Sequence, residues 1–162
     1  MIDGIDTEIL KILQENARTS NAEIARQVGL AASAVFERVR KLEERGVLQG
    51  YVARVNPKLV GLPLLAYIFV RADEKPGEDE TARLVAAIPE VLEVHHVAGE
   101  DCFLVKARAA DTDALHRLLR ERLGRIESIK STRTTIVLNT VKESSELPIA
   151  APADAMPETV RV

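Results

Sequence analysis

The chain has 162 residues, of which 46% are hydrophobic and 29% are charged, and its formal net charge at pH 7 is −3. This composition is typical of a globular chain and excludes a protein that holds nucleic acid by a large positive charge alone. The single cysteine, Cys102, excludes an intrachain disulfide and suits a reducing compartment. No apolar run approaches the length of a membrane span, and acidic residues interrupt the N-terminal segment. We therefore predict a cytoplasmic protein without a membrane partner.

Three amphipathic helices are predicted in the first 45 residues, because apolar residues recur there at helical spacing. Asp3 is placed to cap the first of them. Ser20 and Glu23 precede the second helix with the S-x-x-E spacing of a capping box. Gly29 is suited to the left-handed conformation that ends this helix. A short helix, a glycine turn and another helix are the sequence form of a helix-turn-helix, whose second helix lies in the DNA major groove.

The second helix of this pair places Val35, Val39 and Leu42 on one apolar stripe, and its charged residues fall largely elsewhere. The predicted DNA interface comprises Ser33, Ala34, Glu37, Arg38 and Lys41 nearest the groove, Arg40 and Arg45 at phosphates, and Ser20, Asn21 and Ala32 at the helix starts. The alternative is an ordinary solvated face, since residues 1–50 contain slightly more acidic than basic residues.

Beyond an extended connector the pattern changes to strands. The predicted order is strand, helix, strand, strand, helix, strand, at residues 64–72, 78–88, 92–97, 102–109, 111–124 and 128–138. This is the split βαβ, ferredoxin-like pattern. The fold class is α+β: an N-terminal three-helix (winged) helix-turn-helix joined by an extended connector to a ferredoxin-like βαββαβ domain. The expected boundaries are 1–48 for the helix-turn-helix domain, 49–63 for a connector strand and hinge, 64–142 for the ferredoxin-like domain, and 143–162 for a Pro/Ala-rich acidic tail.

The tail is expected to be flexible or to lie along a neighbouring subunit, because its composition is poor in residues that build a core. The ferredoxin-like pattern leaves one sheet face without helices, and residues 66–70 are apolar on both strand faces. Stacking the open faces of two copies in a two-fold dimer would cover them. A dimer also suits a helix-turn-helix, since two recognition helices about 34–36 Å apart meet successive major grooves.

Residues from Met1 to about Lys142 resemble the Lrp/AsnC (leucine-responsive regulatory protein / asparagine-synthetase activator) family of transcription regulators. The residues that carry the resemblance are Ile5-Asp6, Ile9-Leu10, Asn16-Ala17-Arg18, Glu23-Ile24-Ala25, Val28-Gly29-Leu30, Val35, Arg38-Val39, Leu42-Glu43, Gly46-Val47-Leu48 and Gly50-Tyr51. The resemblance implies a regulator that binds double-stranded DNA through its helix-turn-helix. It also implies a C-terminal domain that binds an amino-acid effector between subunits and often assembles four dimers into an octamer. No other cofactor is expected.

One position departs from the family pattern at the start of the recognition helix. Where the family usually has a serine after Gly29-Leu30, this chain has Ala31. Replacing such an N-cap by alanine typically costs about 0.5–2 kcal/mol. Either the helix starts later, with Ser33 taking over some polar work, or the packing of Val35 and Val39 absorbs the loss.

Residues 97–104 resemble the ligand loop of the family. The candidate effector-binding residues in it are Ala98, Gly99, Glu100, Asp101 and Cys102. Gly99 permits a close backbone approach, so its N–H is able to meet a carboxylate, while an acidic side chain is able to hold an α-ammonium. The family more often has aspartate and then tyrosine at the positions of Cys102 and Phe103, so here either the acidic group has moved or only Asp101 serves.

Three threonines of the last strand, Thr132, Thr134 and Thr135, match the region from which a neighbouring subunit lines the family's pocket. The alternative is that they reflect only β-propensity.

Metal binding and catalysis are not expected. His95 and His96 lie near Cys102, but adjacent strand residues point to opposite faces, and no CxxC or HxxxH pattern accompanies them. No phosphate-binding glycine loop, nucleophile motif or catalytic carboxylate pair is recognisable. We therefore predict no metal site, no catalytic residues and no enzyme. The alternatives are an effector-independent architectural DNA-binding protein and, less favoured by the motifs, a ferredoxin-like enzyme or an assembly protein.

Overall fold

A computed structural model describes residues 2–74 and 78–150, which form two compact units. One unit contains the chain up to Arg54 together with the residues from Glu143 onward, and the other spans Val55–Lys142. Each unit has its own hydrophobic core. The helix and strand content confirms the predicted α+β class.

The N-terminal unit contains helices α1 (Gly4–Glu15), α2 (Asn21–Val28) and α3 (Ala32–Glu44). Their apolar faces meet in a core in which the buried side chains are Ile9, Leu10, Leu13, Ile24, Ala25, Val35, Val39 and Leu42. Burying a side chain of valine or leucine size stabilises the fold by about 1.5–3 kcal/mol. The predicted apolar stripe of α3 is therefore confirmed as its core-facing side.

The caps of α1 and α2 differ from the prediction in one respect. Asp3 caps α1, and Asp6 completes a reciprocal capping box with it. Ser20 Oγ accepts the backbone N–H of Glu23 at 3.2 Å. The Glu23 carboxylate pairs with Arg26 instead of with the N-cap backbone. In this described segment, α2 therefore has only the Ser20 half of the predicted capping box. Gly29 ends α2 at φ 70°, in the predicted left-handed conformation.

Helix α3 begins without a side-chain cap. Ala31 occupies the N-cap position with φ −73° and ψ 147°, and its methyl group accepts no hydrogen bond. The helix starts at Ala32, so it does not begin later at Ser33. Val35 is fully buried and Val39 nearly so. Of the two alternatives, packing in the core is the one that the structure supports.

Residues 49–63, all of them described, contain no strand, which corrects the predicted connector strand. A strand forms only when its backbone N–H and C=O groups find a neighbouring strand. Within this single chain, residues 49–56 have no such neighbour. A turn follows over residues 57–61, closed by the Leu62 N–H donating to the Pro57 carbonyl at 2.8 Å.

The second unit is a four-stranded antiparallel sheet with helices. Its elements are β1 (Leu64–Ala72), α4 (Glu80–Ala86), β2 (Val91–His96), β3 (Phe103–Ala109), α5 (Thr112–Arg117) and β4 (Ile129–Ile136). A π-helical turn at Leu118–Arg122 and a 3₁₀ turn at Leu123–Arg125 extend α5. The spatial strand order is β2-β3-β1-β4, and the predicted βαββαβ sequence is confirmed.

One face of this sheet is packed beneath the helices and the other is open. Ile68 and Val70 of β1 pack with Val105 of β3 and with the helices in a fully buried core. Tyr67 and Phe69 alternate with them and are only half-buried. The open face therefore presents aromatic surface, which agrees with the sequence, where residues 66–70 are apolar on both strand faces.

The C-terminal segment at residues 143–150, called here the C-terminal strap, packs on the N-terminal unit of its own chain. Gln14 of α1 makes two hydrogen bonds with the backbone of Leu147, donating to its carbonyl at 3.1 Å and accepting from its N–H at 2.7 Å. Ile149 packs against the helical core, and Arg54 donates to the Glu143 carbonyl at 2.9 Å. This corrects the expectation of a flexible tail for the strap. The same prediction for residues 151–162 lies outside the described residues.

Candidate DNA interface and effector loop

The outward face of α3 carries most of the predicted DNA-contacting residues. The exposed side chains on this helix include those of Ala32, Ser33, Phe36, Glu37, Arg40, Lys41 and Glu44. Ser20 is exposed at the N-cap of α2, and Asn21 is half-buried beside it. A shallow cavity of about 350 Å³ brings together Ala34, Glu37, Arg38, Lys41 and Arg45 with Asp6 and Leu42.

Arg38, one of the predicted DNA-contacting residues, faces α1. Its guanidinium donates to Asp3 at 2.7 Å and to Asp6 at 2.6 Å, and its side chain is 31% exposed. These hydrogen bonds raise the pKa of Arg38. The Asp6 backbone N–H and then Arg38 lower the pKa of the Asp3 carboxyl. The sequence prediction placed Arg38 among the groups nearest the groove, whereas this geometry makes it a clamp between α3 and the N-terminus of α1.

Arg40 lies between two carboxylates of its own helix. Its guanidinium pairs with Glu37, three residues earlier, at 2.8 Å and with Glu44, four residues later. The hydrogen bond with Glu37 raises the pKa of Arg40 and lowers that of Glu37. Such exposed pairs contribute little to stability and open readily. Arg40 is therefore able to exchange its carboxylate partners for a phosphate.

The predicted effector loop is a turn between β2 and β3. The Val97 N–H donates to the Cys102 carbonyl at 3.0 Å, which closes the turn. Gly99 has φ +145°, and a Cβ added there would meet no atom within 4 Å. Backbone conformation rather than crowding thus requires glycine at this position. Ala98, Gly99 and Glu100 are exposed, so the loop is accessible to a ligand.

The acidic side chains of this loop have different surroundings. The Asp101 carboxylate pairs with Arg133 at 2.9 Å, and the Arg133 guanidinium lies 4.1 Å from the ring centroid of Phe69. Asp101 is thereby tied to the open face of the sheet. Glu100 is the exposed carboxylate at the tip of the loop.

The Cys102 side chain points into the second unit. Its Sγ lies 3.4 Å from both the backbone N and the carbonyl O of Ala72, and its side chain packs against the hydrophobic core. The sequence prediction counted Cys102 among effector-binding residues, and the structure places only its backbone at the loop. The thiol fills space at the end of β1.

The three predicted threonines do not share a face of β4. Thr132 is paired with Val70 and Thr134 with Ile68, on the helix-covered side. Thr135 is paired with Tyr67, on the open side. Because neighbouring residues of a strand point to opposite faces, one chain does not bring these threonines together around one ligand.

The adjacent histidines also lie on opposite faces, as predicted. His95 is paired with Leu104 and lies 3.3 Å from a Glu93 carboxylate oxygen. The His96 ring packs on Phe103 with 5.0 Å between the ring centroids. Among residues 2–74 and 78–150 there is no group of three or more metal-ligating side chains. No described helix is long and apolar enough to cross a membrane.

Two features of these sites were not predicted from the sequence. The clamp formed by Asp3, Asp6 and Arg38 has a partial signal in the D-x-x-D spacing of the α1 cap. The aromatic side chain of Phe36 is 53% exposed on α3. Its position directly after Val35 of the apolar stripe was the sequence feature that could have predicted this exposure.

Comparisons with known proteins agree in both halves of the chain. Residues 2–43 match the AsnC-type helix-turn-helix domain, and residues 65–147 match the Lrp/AsnC ligand binding domain. The HTH-type transcriptional regulator FL11 of Pyrococcus horikoshii is 39% identical over 91% of this chain and 97% of its own length. The leucine-responsive regulatory protein of Escherichia coli is 36% identical, with 91% of this chain and 92% of its own length covered.

A solved structure extends this likeness to the fold. The transcriptional regulator of Neisseria meningitidis in complex with L-Met has a TM-score of 0.86 and 31% identity, covering 91% of this chain and 97% of its own. These relatives are transcriptional regulators, which confirms the prediction of a regulator rather than an enzyme. With matches that span both units, the chain belongs to the Lrp/AsnC family of DNA-binding transcriptional regulators.

Proposed function

We propose that this chain controls transcription from operators that it binds through the outward face of α3, in response to an amino acid bound near residues 98–101. The observation that carries the proposal is the α2–α3 pair, whose glycine turn and buried stripe leave one side of α3 exposed. Such a helix fits the major groove. The proposed site of action is the cytoplasm.

The proposed DNA contacts divide by position on the helix pair. Ala32, Ser33, Ala34, Glu37 and Lys41 lie nearest the bases. Arg40 and Arg45 contact phosphates, and Ser20 and Asn21 contact the backbone at the start of α2. Arg38 positions α3 through its clamp to α1. Phosphate contacts supply affinity, while base contacts supply sequence preference.

The effector proposal rests on the exposed turn at Gly99. The Gly99 backbone N–H meets the α-carboxylate of the ligand, and Glu100 holds the α-ammonium. Asp101 orients the loop through its pair with Arg133. The family resemblance places Thr132, Thr134 and Thr135 in a neighbouring subunit's contribution to the pocket, and only threonines on one face of β4 would reach the same ligand. The Neisseria meningitidis relative, whose structure contains L-Met, supports an amino acid as the ligand.

The proposed assembly begins with a two-fold dimer through the open face of the sheet. Tyr67, Phe69 and Leu104 supply apolar surface on that face. Lys106 and Glu93 pair at 3.0 Å near it, and this hydrogen bond lowers the pKa of Glu93. A further step to four dimers follows the family resemblance.

The test of this function begins with selection of DNA from a random pool by the full chain. We expect an enriched sequence whose binding weakens steeply with salt and exceeds binding to bulk DNA by at least about 10³-fold. A thermal-melt screen against the twenty amino acids then identifies the effector. A ligand at 100 times its dissociation constant adds about 2.7 kcal/mol of stability.

The variant Glu100→Gln separates the effector proposal from its alternative. We expect it to lose the thermal response while keeping operator binding, whereas Glu127→Gln, another exposed acid of the same unit, keeps both. Operator binding without a response to any amino acid in the unmodified chain would favour an effector-independent architectural protein. Failure to enrich any DNA sequence would refute the proposed use of α3.

A further inference from the structure

Phe36 places a large apolar surface on the outward side of α3. The residue is 53% exposed, while the neighbouring Val35 is fully buried. Single exposed apolar residues are common on protein surfaces, so exposure alone carries no function. The position of Phe36 gives it significance: residues 32, 36 and 40 are spaced four apart and form one row along the N-terminal two-thirds of α3. The N-terminal part of a recognition helix is the part that contacts base edges.

The charged neighbours of Phe36 are engaged with each other. Glu37 and Glu44 both pair with Arg40. Arg38 is held by two aspartates of the α1 cap. An arginine that reads guanine must present two donors in a fixed geometry, and these pairs compete for those donors. Arg38, held by two aspartates, is therefore disfavoured as a reader of guanine, whereas Arg40 is assigned above to a phosphate.

The remaining side chains of the row and its flank are small. Ala32 precedes Phe36 by one helical turn, and Ser33 lies beside it. In a complex with α3 in the major groove, these small side chains would let the helix backbone approach the floor of the groove and would bring the Phe36 ring near the base edges. In the major groove the apolar group on a base edge is the 5-methyl group of thymine, and phenylalanine is one of the residues that contact it.

We propose that Phe36 is a specificity-determining residue that contacts thymine 5-methyl groups in the major groove. The inference rests on the proposed insertion of α3 into that groove. It predicts an operator with thymine at the positions beneath Phe36, and it assigns part of the sequence preference to apolar contact.

The test uses operator DNA selected by the full chain, in which each thymine is replaced in turn by deoxyuridine. This exchange removes one methyl group and keeps the hydrogen-bonding edge. We expect a loss of affinity of about fourfold at one or two positions in each half-site, the amount that burial of one methyl-sized group supplies. For the Phe36→Ala variant, the same exchange should not change operator affinity at those positions. The Phe36→Leu variant should still bind thymine more tightly than uracil there, by a smaller factor.

Val52→Ala is the matched control, because Val52 is an exposed apolar residue of the same unit, at 86% exposure, outside α3. It should discriminate thymine from uracil as the unmodified chain does. Circular dichroism and light scattering establish that each variant keeps its fold and its assembly size.

Three outcomes separate the hypotheses. Equal sensitivity to uracil in the unmodified chain and in Phe36→Ala would overturn the role of Phe36 while leaving the proposed function intact. A Phe36→Ala chain with unchanged operator preference but altered assembly size would also overturn it, because Phe36 would then serve a subunit contact. If the unmodified chain selects no operator, the failure belongs to the proposed function.

Discussion

Arg38 shows how partners from a distant part of the chain change the role of a side chain. In the sequence it is a basic residue on a recognition helix, which indicates DNA contact. In the structure its guanidinium joins two carboxylates that precede it by 35 and 32 residues. Asp6, one of these partners, retains only 10% of its side-chain exposure. A charge buried to this extent is stable only while its partner is present.

Arg38→Ala should therefore destabilise the N-terminal unit. We expect the free energy of unfolding to fall by about 1.5–3 kcal/mol, the usual contribution of hydrogen bonds to charged groups. Urea denaturation followed by circular dichroism measures this change. Arg40→Ala is the matched control, and it should change stability by less than about 1 kcal/mol, because both Arg40 pairs are exposed. Equal costs for the two variants would contradict the clamp.

The difference between Arg38 and Arg40 shows which contacts of the candidate sites were predictable from the sequence. The partners of Arg40 stand three residues before it and four after it, a spacing that is readable in any helix. Arg38 and Asp101 have partners more than thirty residues away. The orientation of Cys102 toward Ala72 likewise depends on how the strands pack. Local spacing indicated the turn at Gly99, the outward face of α3 and the two aspartates of the α1 cap, but it did not identify their partners more than thirty residues away.

Among the elements, those with a regular local pattern were predicted and those that depend on a partner were not. The succession of strands and helices along the second unit follows from hydrophobic periodicity and capping residues. Asp111 is an example, because it accepts the Ala114 N–H at 2.7 Å. Residues 49–56 form no strand, because they have no neighbouring strand among the described residues of this chain. The C-terminal strap has a composition typical of disorder, yet it is held by Gln14 and by the core around Ile149.

The missing cap of α3 leads to a prediction of increased stability. Ala31 already has the extended backbone of an N-cap residue, so Ala31→Ser supplies the absent acceptor without rearrangement. We expect the free energy of unfolding to rise by about 0.5–2 kcal/mol, measured by urea denaturation. Ala34→Ser, inside the same helix, should give no gain, because serine there competes with the helical backbone. A gain from both variants would indicate an effect other than capping.

The strap should be attached to α1 mainly through Gln14. Gln14→Ala removes both hydrogen bonds to the Leu147 backbone, so we expect faster amide exchange at Leu147. Stability should fall by about 1 kcal/mol, the usual contribution of a hydrogen bond. Glu15→Ala, at the neighbouring exposed position, should leave the Leu147 exchange rate unchanged. Unaltered exchange in Gln14→Ala would mean that Ile149 alone holds the strap.

On the scale of the whole molecule, the chain enters its N-terminal unit twice, at residues 2–54 and again from Glu143. Residues 137–142 follow the last strand, β4, and lead into the strap, which packs on the helices of the N-terminal unit. Arg133 of β4 pairs with Asp101 in the turn between β2 and β3. If an effector binds this turn, as proposed above, the chain connects the turn through β4 to the strap, and hydrogen bonds from Gln14 attach the strap to α1.

Mutations can test whether the proposed subunit interface lies on the open face of the sheet. Leu104 is half-buried on the open face in this single chain, opposite His95. If two open faces stack, Leu104→Arg places a charge in an apolar interface, a change that is costly without a partner. We expect the mass measured by light scattering to fall to that of the monomer. Operator affinity should fall with it, because each half-site is then bound independently.

Leu84→Arg is the control for this prediction, since Leu84 is an exposed leucine of α4, in the helix layer rather than on the open face. It should retain at least the mass of a dimer and should keep its operator affinity. The opposite result, a monomer for Leu84→Arg and an unchanged assembly for Leu104→Arg, would place the interface on the helices. In that case a molecule other than a second copy of the sheet would have to cover the aromatic surface around Phe69. Within one chain the Phe69 ring contacts the Arg133 guanidinium but remains only half-buried.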